Sequence, residues 1–401
     1  MKRLATAIAV SVVSLSHAFA AAAYEAELIF DPKLEDHGHA HASCIVQCPN
    51  GDLLAVWYEN GPKLPPPYFS KQLDKSDDVR IGGSRKPAGA AHWEKPFVAS
   101  DTFGVSDNNP CMVIDRQQRL WLIHPTLLGV PAKTWGSALV QYKVSSDYQK
   151  AGPPRWDKER ILVPHPESFE APLSSALERF GRQSKQTAER LEARVRPMLK
   201  DPFSVRLGWM PRAHPLILSD GTLLLPLSNE NFNVAVMFFT KDAGETWTLS
   251  DPVPEAGVTQ PTVVEFPDKT LAAFFRNGRP ERRILRSDST DGGMTWTPLT
   301  LTDRPHPGAG IEALVLQSGL LSLVYNDLEK GRHSLAVSLS SDRGKTWPWT
   351  RHLENTPDGR FDYPSIIQSR DGTLHVTYSV NTKTIKHARF DEAWVKAGDQ
   401  Q

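Results

Sequence analysis

Polar residues recur along the chain at two kinds of position, directly before and directly after short apolar segments. The first kind comprises His39, His41, Asn108, Asn109, Arg212, His214, Gln260, Glu312, Asp362 and Tyr363, and the second comprises Glu59, His124, Asn229, Glu230, Arg276 and Asn326. Such side chains supply the directed hydrogen bonds that sugar hydroxyls and carboxylates need. Because a guanidinium pairs with a carboxylate in bidentate fashion, Arg212 and Arg276 are candidate binding residues for the carboxylate of an acidic ligand.

Each of these side chains also has a structural interpretation. Glu312 is a charge among apolar neighbours, and its burial is costly unless it has a partner or a task. Arg276 could form a structural ion pair with Glu230 or Glu312. His41 could be an ordinary hydrogen-bonded histidine or a base for elimination chemistry, and Tyr363 could plug a central axis.

A repeated motif predicts the elements that position these residues. The pattern S/T-x-D-x-G-x-T-W occurs at residues 240–247, 289–296 and 340–347, a spacing of about 50 residues that is typical of propeller blades. We call these three segments the boxes. In each box the Asp can accept backbone N–H bonds inside a turn, the Gly permits an unusual backbone angle, and the Trp packs between sheets.

The same strand pattern without a good box recurs elsewhere and brings the number of expected blades to six. The blades are expected to start near His41, Asn109, His214, Pro261, Ile311 and Tyr363. The segment 24–30 alternates like a strand, and we expect it to complete the last blade and close the ring. The predicted fold class is therefore all-β, a six-bladed β-propeller with an inserted helical hairpin.

Blade topology predicts where a site lies. The boxes connect the third and fourth strands of a blade, so they belong at one face, while the candidate polar residues gather at the other. Two long insertions also belong on that second face: residues 59–79, which carry Asp74, Asp77 and Asp78, and a helical hairpin at about 165–205. The hairpin could be a lid or rim of the site, a packed decoration or a dimer contact.

The composition and the N-terminal sequence limit the classes of function that we expect of this protein. The 401 residues include 46 Lys and Arg and 46 Asp and Glu, and this zero net charge argues against a nucleic-acid partner. Residues 1–20 have the charged start, apolar run and Ala18-Phe19-Ala20 ending of a signal peptide. The apolar run is too short to span a bilayer. We expect a protein without membrane insertion that is exported to the periplasm or beyond, with the propeller at residues 21–395.

Cysteine usage and the absence of ligand clusters make a metal site unexpected. Cys44, Cys48 and Cys111 form no C-x-x-C pair and no His/Cys cluster typical of zinc. We predict buried free thiols, with a Cys44–Cys111 bridge as the alternative. No metal or organic cofactor is indicated, although a structural calcium ion in an acidic loop stays open.

Three segments carry a resemblance to a known family. Residues 41–59 (HASCIVQCPNGDLLAVWYE), 208–227 (GWMPRAHPLILSDGTLLLPL) and 363–378 (YPSIIQSRDGTLHVTY), with the boxes and the blade count, resemble the sialidase or neuraminidase-like BNR-repeat proteins. The resemblance covers nearly all of the chain after the signal peptide, including the helical insertion. It implies a carbohydrate-active propeller.

The resemblance also implies roles for particular residues. Sialidases use a Tyr nucleophile assisted by Glu, an Asp acid/base and three arginines that hold a substrate carboxylate. By position, these roles imply Tyr363 and Glu312 as the nucleophile pair and Asp78 as the acid/base. The implied substrate-binding residues are Arg212, Arg276, His41, Asn109 and His214. Two features depart from the family: His41-Ala42-Ser43 replaces the Arg-Ile-Pro motif, and a third arginine is not evident, so another acidic sugar could replace sialic acid.

Four hypotheses follow, in decreasing order of preference. The first is an exported glycoside hydrolase that removes a terminal acidic or deoxy sugar from a glycan. The second is a polysaccharide lyase that acts on a uronic acid with His41 or Tyr363 as base. The third is a non-catalytic glycan-binding propeller, and the fourth is a structural interaction module. The sequence leaves the sugar, the linkage and the oligomeric state open.

Overall fold

The computed structural model describes residues 24–34, 37–66, 68, 73–129 and 134–399, and the predicted signal peptide lies outside them. Six antiparallel sheets stand as blades in a ring, which confirms the predicted six-bladed β-propeller. Neighbouring blades meet through their innermost strands around a central axis. Large apolar side chains such as Trp57, Trp121 and Phe274 are fully buried within and between the sheets.

The strands follow the chain from blade to blade. The first strand is β1 (Glu25–Leu28), and blade one follows as β2 (Ala40–Gln47), β3 (Leu53–Asn60), β4 (Val79–Lys86) and β5 (Phe97–Ser100). Blade two contains β6 (Ser106–Asp107), β7 (Cys111–Ile114), β8 (Leu120–Leu127), β9 (Ala138–Ser145) and β10 (Lys158–Leu162). Blade three contains β11 (Trp209–Met210), β12 (Leu216–Ile217), β13 (Leu223–Asn229), β14 (Val234–Thr240) and β15 (Thr248–Leu249).

The last three blades have four strands each. Blade four contains β16 (Val258–Glu265), β17 (Leu271–Asn277), β18 (Arg283–Ser289) and β19 (Thr300–Pro305). Blade five contains β20 (Glu312–Val315), β21 (Leu321–Tyr325), β22 (Ser334–Ser340) and β23 (Trp349–Asn355). Blade six contains β24 (Phe361–Gln368), β25 (Leu374–Val380) and β26 (Thr384–Phe390). Strand β1 pairs with β26, so the N-terminal strand completes blade six as predicted.

Helices form where the sequence predicts an insertion. Between blades two and three lie α1 (Glu170–Gly181), α2 (Lys185–Met198) and α3 (Pro202–Arg206), and α4 (Glu392–Lys396) follows the last strand. The side chain of Ser184 caps α2, and that of Asp201 caps α3, by accepting backbone N–H bonds. Short 3₁₀ helices occupy Leu73–Lys75 and Trp135–Ser137. No helix in the described ranges is long and apolar enough to cross a membrane.

The boxes form tight turns that share one set of hydrogen bonds. In the third box, the backbone N–H of Thr346 donates to Asp342 at 2.8 Å, and the Thr346 hydroxyl donates at 2.7 Å. The Ser340 hydroxyl accepts from the N–H of Gly344 at 2.7 Å. Gly344 has φ +85°, a conformation that disfavours other residues. The bonds from Thr346 lower the pKa of Asp342 to about 2.

All three cysteines are buried and free, which confirms the prediction of unpaired thiols. The thiol of Cys44 accepts from the N–H of Met112 at 3.2 Å. Burial raises the pKa of Cys111 well above its ordinary value. These thiols are therefore part of the packed interior.

The box carboxyls predict an acid-dependent part of the stability. Because the pKa of Asp342 is about 2 in the fold and near 3.9 when unfolded, the stability it contributes is present above pH ~4 and is lost as the pH falls to ~2. We expect Asp342→Asn to lower the urea midpoint at pH 6, with a difference from wild type that shrinks by pH 2.5. Asp358→Asn, at an exposed aspartate outside the boxes, is the control, and a difference that does not change with pH contradicts the prediction.

Candidate functional site

Near the start of four innermost strands lies a residue in the left-handed backbone region. Ala42, Asn109, Gln260 and Tyr363 have φ values of 54°, 36°, 51° and 50°, respectively. The register of strand pairing shifts near the start of β2, β16 and β24, which indicates a β-bulge in each strand. Bulges turn side chains out of the regular alternation, and strained residues of this kind cluster at functional sites.

A cavity of about 750 Å³ lies at the end of the axis to which these bulges point. In blade three, Asn229 at the cavity end of β13 pairs with Val234, whereas Leu223 at the other end pairs with Thr240 of the first box. The boxes and the cavity therefore lie at opposite ends of the blade, as the topology predicts.

Tyr363 lies on the floor of this cavity. Its hydroxyl oxygen is 2.9 Å from Arg276 Nη1 and 3.2 Å from Gln260 Nε2, both of which donate. The ring of His41 stands edge-on to the Tyr363 ring at 4.4 Å between centroids. The interaction with Tyr363 raises the pKa of Arg276, so this guanidinium is a permanent cation beside the phenol oxygen.

Cationic side chains dominate the charge around the floor. The cavity is lined by six arginines, Arg179, Arg194, Arg276, Arg279, Arg332 and Arg360, against three carboxylates, Asp74, Glu230 and Glu281. Arg332 and Arg360 both pair with Asp362, whose side chain is fully buried. An excess of guanidinium groups in one concave site favours an anionic ligand.

Arg332 and Arg360 were missed by the sequence analysis. Arg332 precedes the third strand of blade five, and Arg360 precedes the first strand of blade six. Both positions belong to connections that face the cavity, so the topology could have identified them. Arg360 lies two positions from Asp362 and carries a local signal, whereas Arg332 lies 30 positions away and is brought to the same carboxylate only by the fold.

Glu312 has a different partner from the one expected. The prediction pairs it with Tyr363, but its carboxylate accepts from the backbone N–H of His214 at 2.6 Å and from His214 Nδ1 at 2.8 Å. It also accepts from the N–H of Ile366 at 2.8 Å. Glu312 is 2% exposed and is not among the residues that line the cavity. The nucleophile pair Tyr363–Glu312 is therefore corrected: Glu312 and His214 form a buried ion pair on the axis.

His214 is held in its charged form by this arrangement. Its Nε2 donates to the carbonyl of Ile45 at 2.7 Å, so both ring nitrogens face acceptors. Burial opposes the charge, but Cys44 and Glu312 outweigh it and raise the pKa of His214 well above its ordinary value. In turn, His214 lowers the pKa of Glu312 against the effect of burial. The expected role of His214 in substrate binding is thus replaced by a structural one.

Arg212 lies behind Tyr363. Its guanidinium is 5.0 Å from the centre of the Tyr363 ring, and its Nη2 donates to the carbonyl of Pro364. Arg212 is 1% exposed, and burial lowers its pKa. Because a ligand cannot reach a buried guanidinium, Arg212 does not bind a substrate as expected. It packs against the Tyr363 ring and holds the neighbouring backbone instead.

Two acidic residues line the cavity where Asp78 was expected, namely Asp74 and Glu230. Asp78 is held by Asn60, whose Nδ2 donates to its carboxylate at 3.1 Å, whereas Asp74 of the same loop lines the cavity. Glu230 also lines the cavity, and burial raises its pKa although Arg276 opposes the shift. Asp74 thus replaces Asp78 as the acid of this loop within reach of a ligand.

The remaining predicted residues face the cavity. Asn109 and His41 are part of its lining, together with Tyr58. Burial lowers the pKa of His41 well below its ordinary value, so its ring is neutral. Its Nδ1 is 2.8 Å from the hydroxyl of Ser379. Within the described residues, no three His, Cys, Asp or Glu side chains form a group that could hold a metal ion.

The buried ion pair predicts a large loss of stability in Glu312→Gln. Removing one partner leaves an uncompensated buried charge on His214, and such changes cost about 3 kcal/mol or more. The pair stabilises the fold most between pH ~4.5 and ~6.5, because Glu312 loses its contribution below this window and His214 loses its contribution above it.

Urea unfolding of Glu312→Gln between pH 4 and 9 measures this contribution. The control is Glu329→Gln, because Glu329 forms an exposed pair with Arg283 at 2.6 Å, worth less than about 1 kcal/mol. Equal losses in the two variants would show that the axial pair contributes no more than a surface pair.

Sequence comparisons identify a BNR repeat-like domain over residues 182–376. A sialidase of Bacteroides fragilis is 20% identical over 350 residues, or 82% of this chain and 58% of that protein. A sialidase of Clostridium perfringens is 30% identical over 105 residues, or 24% of this chain and 27% of that protein. The chain thus spans between about a quarter and somewhat over half of the length of these curated relatives.

Solved structures share the fold at low sequence identity. The Hadza microbial sialidase Hz136 superposes with a TM-score of 0.69 at 17% identity, covering 92% of this chain and 69% of that one. The intramolecular trans-sialidase from Ruminococcus gnavus superposes with a TM-score of 0.64 at 13% identity, covering 90% and 96%. Together, the domain match, the curated relatives and the shared propeller confirm the predicted resemblance to the sialidase-like BNR-repeat proteins.

Proposed function

We propose that the protein is a glycoside hydrolase of sialidase type that removes a terminal acidic sugar from a glycan. The observation that carries the proposal is Tyr363, whose hydroxyl is bonded to Arg276 on the floor of an arginine-lined cavity. The curated relatives named as sialidases support the same reaction class. In this proposal Glu230 takes the role expected of Glu312, and Asp74 takes the role expected of Asp78. The arginines that line the cavity take the role expected of Arg212.

Three arginines would hold the carboxylate of the sugar. Arg276, Arg332 and Arg360 line the cavity around Tyr363. Asp362 fixes two of these side chains in place, so little side-chain entropy is lost when the ligand binds. Guanidinium groups bind carboxylates through parallel hydrogen bonds, which also orient the sugar ring.

Tyr363 would act as the nucleophile. A neutral phenol approaches an anionic sugar without charge repulsion, and tyrosine nucleophiles are an established exception among glycosidases. Arg276 places a positive charge 2.9 Å from the oxygen, where it stabilises the negative charge that forms during attack. Burial raises the pKa of Glu230, which suits a carboxylate that takes up the phenol proton and later returns it.

The reaction would take two steps. The Tyr363 oxygen bonds to the anomeric carbon as the glycosidic C–O bond breaks, the phenol proton passes to Glu230, and Asp74 protonates the leaving oxygen. Water then gives a proton to Asp74 and attacks the same carbon. The bond to Tyr363 breaks, and the tyrosine oxygen regains the proton from Glu230. Two displacements retain the configuration at the anomeric carbon.

Tyr363→Phe is the direct test. Removing the attacking oxygen should lower kcat by roughly 10³-fold or more while leaving the Kd for an acidic sugar within a few-fold of wild type. Hydrolysis of an aryl glycoside of N-acetylneuraminic acid and calorimetric binding of the free sugar measure the two effects. Tyr148→Phe, whose hydroxyl bonds to the Gln118 carbonyl away from the cavity, is the control. Unchanged turnover in Tyr363→Phe would remove the nucleophile from the proposal.

A second candidate function is a lyase that acts on a uronic acid, and His41 favours it. Its neutral ring lines the cavity beside Tyr363, where it could remove the proton on the carbon next to a carboxylate. The bond from the next carbon to the glycosidic oxygen would then break and leave a carbon–carbon double bond, while the departing oxygen would take a proton from the Tyr363 hydroxyl.

The product separates the two functions. A lyase product absorbs in the ultraviolet, whereas a hydrolase product carries a new hemiacetal or hemiketal and no new double bond. For wild type we expect sugar release from acidic glycans without a rise in absorbance. A rise that disappears in His41→Ala would favour the lyase.

We also propose that the protein is exported. Residues 1–20 have the composition of a signal peptide with cleavage after Ala20. Fractionation of the producing cells with sequencing of the mature N-terminus tests this, and a cytoplasmic protein that retains Met1 contradicts it.

A further inference from the structure

The helical hairpin, defined as α1 and α2, forms an apolar wall on one side of the cavity. Its contribution includes Leu173, Ala176, Phe180, Leu191, Val195 and Leu199. The polar groups around Tyr363 form another part of the same cavity. A ligand that fills the whole volume therefore meets three guanidinium groups near Tyr363 and, on the hairpin, aliphatic side chains together with Arg179 and Arg194.

The hairpin is anchored to the propeller beside the cavity. The packing side of α1 buries Leu173 and Ala176, and Phe169 just before it packs on Phe232 at 5.0 Å between ring centres. Arg179 near the end of α1 donates to the carbonyl of Ala256 at 2.9 Å. The wall is thus held at a defined place relative to Tyr363.

Helix α2 differs from α1 because none of its residues is fully buried. Leu191 and Val195 lie on its apolar stripe, line the cavity and remain partly exposed. The stripe serves two surfaces, because Leu191 packs partly against the buried core and also lines the cavity. Partly exposed aliphatic side chains at the wall of this cavity offer a surface for the apolar part of a ligand.

We propose that this wall is a subsite for an apolar aglycone, an alkyl or aryl group attached to the anionic sugar. The proposal rests on the proposed function, because it takes the sugar to be held by the arginines near Tyr363. Charge complementarity favours one orientation, because Arg276, Arg332 and Arg360 gather near Tyr363. The hairpin also carries Arg194 among its aliphatic side chains, and its Arg179 already donates to a backbone carbonyl, so the apolar group extends toward α2. The volume of about 750 Å³ is that of a pocket for a drug-sized ligand, which is larger than one sugar ring.

The octyl and methyl α-glycosides of N-acetylneuraminic acid are matched probes, because they differ only in the aglycone. For wild type, kcat/KM should be roughly tenfold or more higher for the octyl glycoside. In Leu191→Ser/Val195→Ser the ratio should fall to about one, while kcat/KM for the methyl glycoside stays within about twofold of wild type. Val163→Ser, at an exposed valine on the outer edge of blade two, is the matched control and should keep the wild-type ratio.

A second variant keeps the test decisive if the double variant fails to fold. Val195→Trp fills the cavity beside α2 and should reduce binding of the octyl glycoside, measured by calorimetry, without weakening the methyl glycoside. Equal binding and turnover of the two glycosides by wild type overturns the subsite and leaves the proposed hydrolase intact. Failure to bind or cleave either glycoside overturns both proposals. A dimer that dissociates in Leu191→Ser/Val195→Ser would assign the wall to a second copy of the chain and overturn the subsite.

Discussion

The ion pair between His214 and Glu312 is the contact on which the centre of the ring depends. Two buried charges are costly, and they are tolerated only when the remaining hydrogen-bonding groups are satisfied. Here Glu312 of blade five accepts from His214 of blade three and from Ile366 of blade six, and His214 donates to Ile45 of blade one. One pair thus joins four of the six blades at the axis.

The placement of Tyr363 follows from this arrangement. The residue has φ 50°, which is unfavourable outside glycine, so the surrounding contacts must hold it there. Glu312 fixes the backbone of β24 at Ile366, and Arg212 fixes it at Pro364 while covering one face of the Tyr363 ring. The phenol is therefore positioned before any ligand arrives, which is what a reactive group on a rigid scaffold requires.

The sequence predicts the ring much better than the site. The boxes are local patterns, so their spacing is enough to predict blades, the ring and the closing role of β1. Contacts across the axis join residues that are distant in sequence. The residues around Glu312 therefore could not show whether this carboxylate forms a structural ion pair or has a catalytic role. His214, 98 positions away, proved to be the partner. In the blade-one loop, the composition alone could not choose between Asp74 and Asp78, because the choice depends on the hydrogen bond from Asn60.

The division of the propeller into two faces explains how the cavity could acquire its apolar wall. The hairpin enters between the last strand of blade two and the first strand of blade three, and this connection opens at the face that carries Tyr363. An insertion at a box would lie on the opposite face and could not reach the ligand. The inner strands, with their ion pair and bulges, fix Tyr363 and its neighbours, while the connections on the cavity face supply other parts of the cavity wall. In the proposed hydrolase, changes in α2 would therefore alter specificity without disturbing the axial pair that joins the blades.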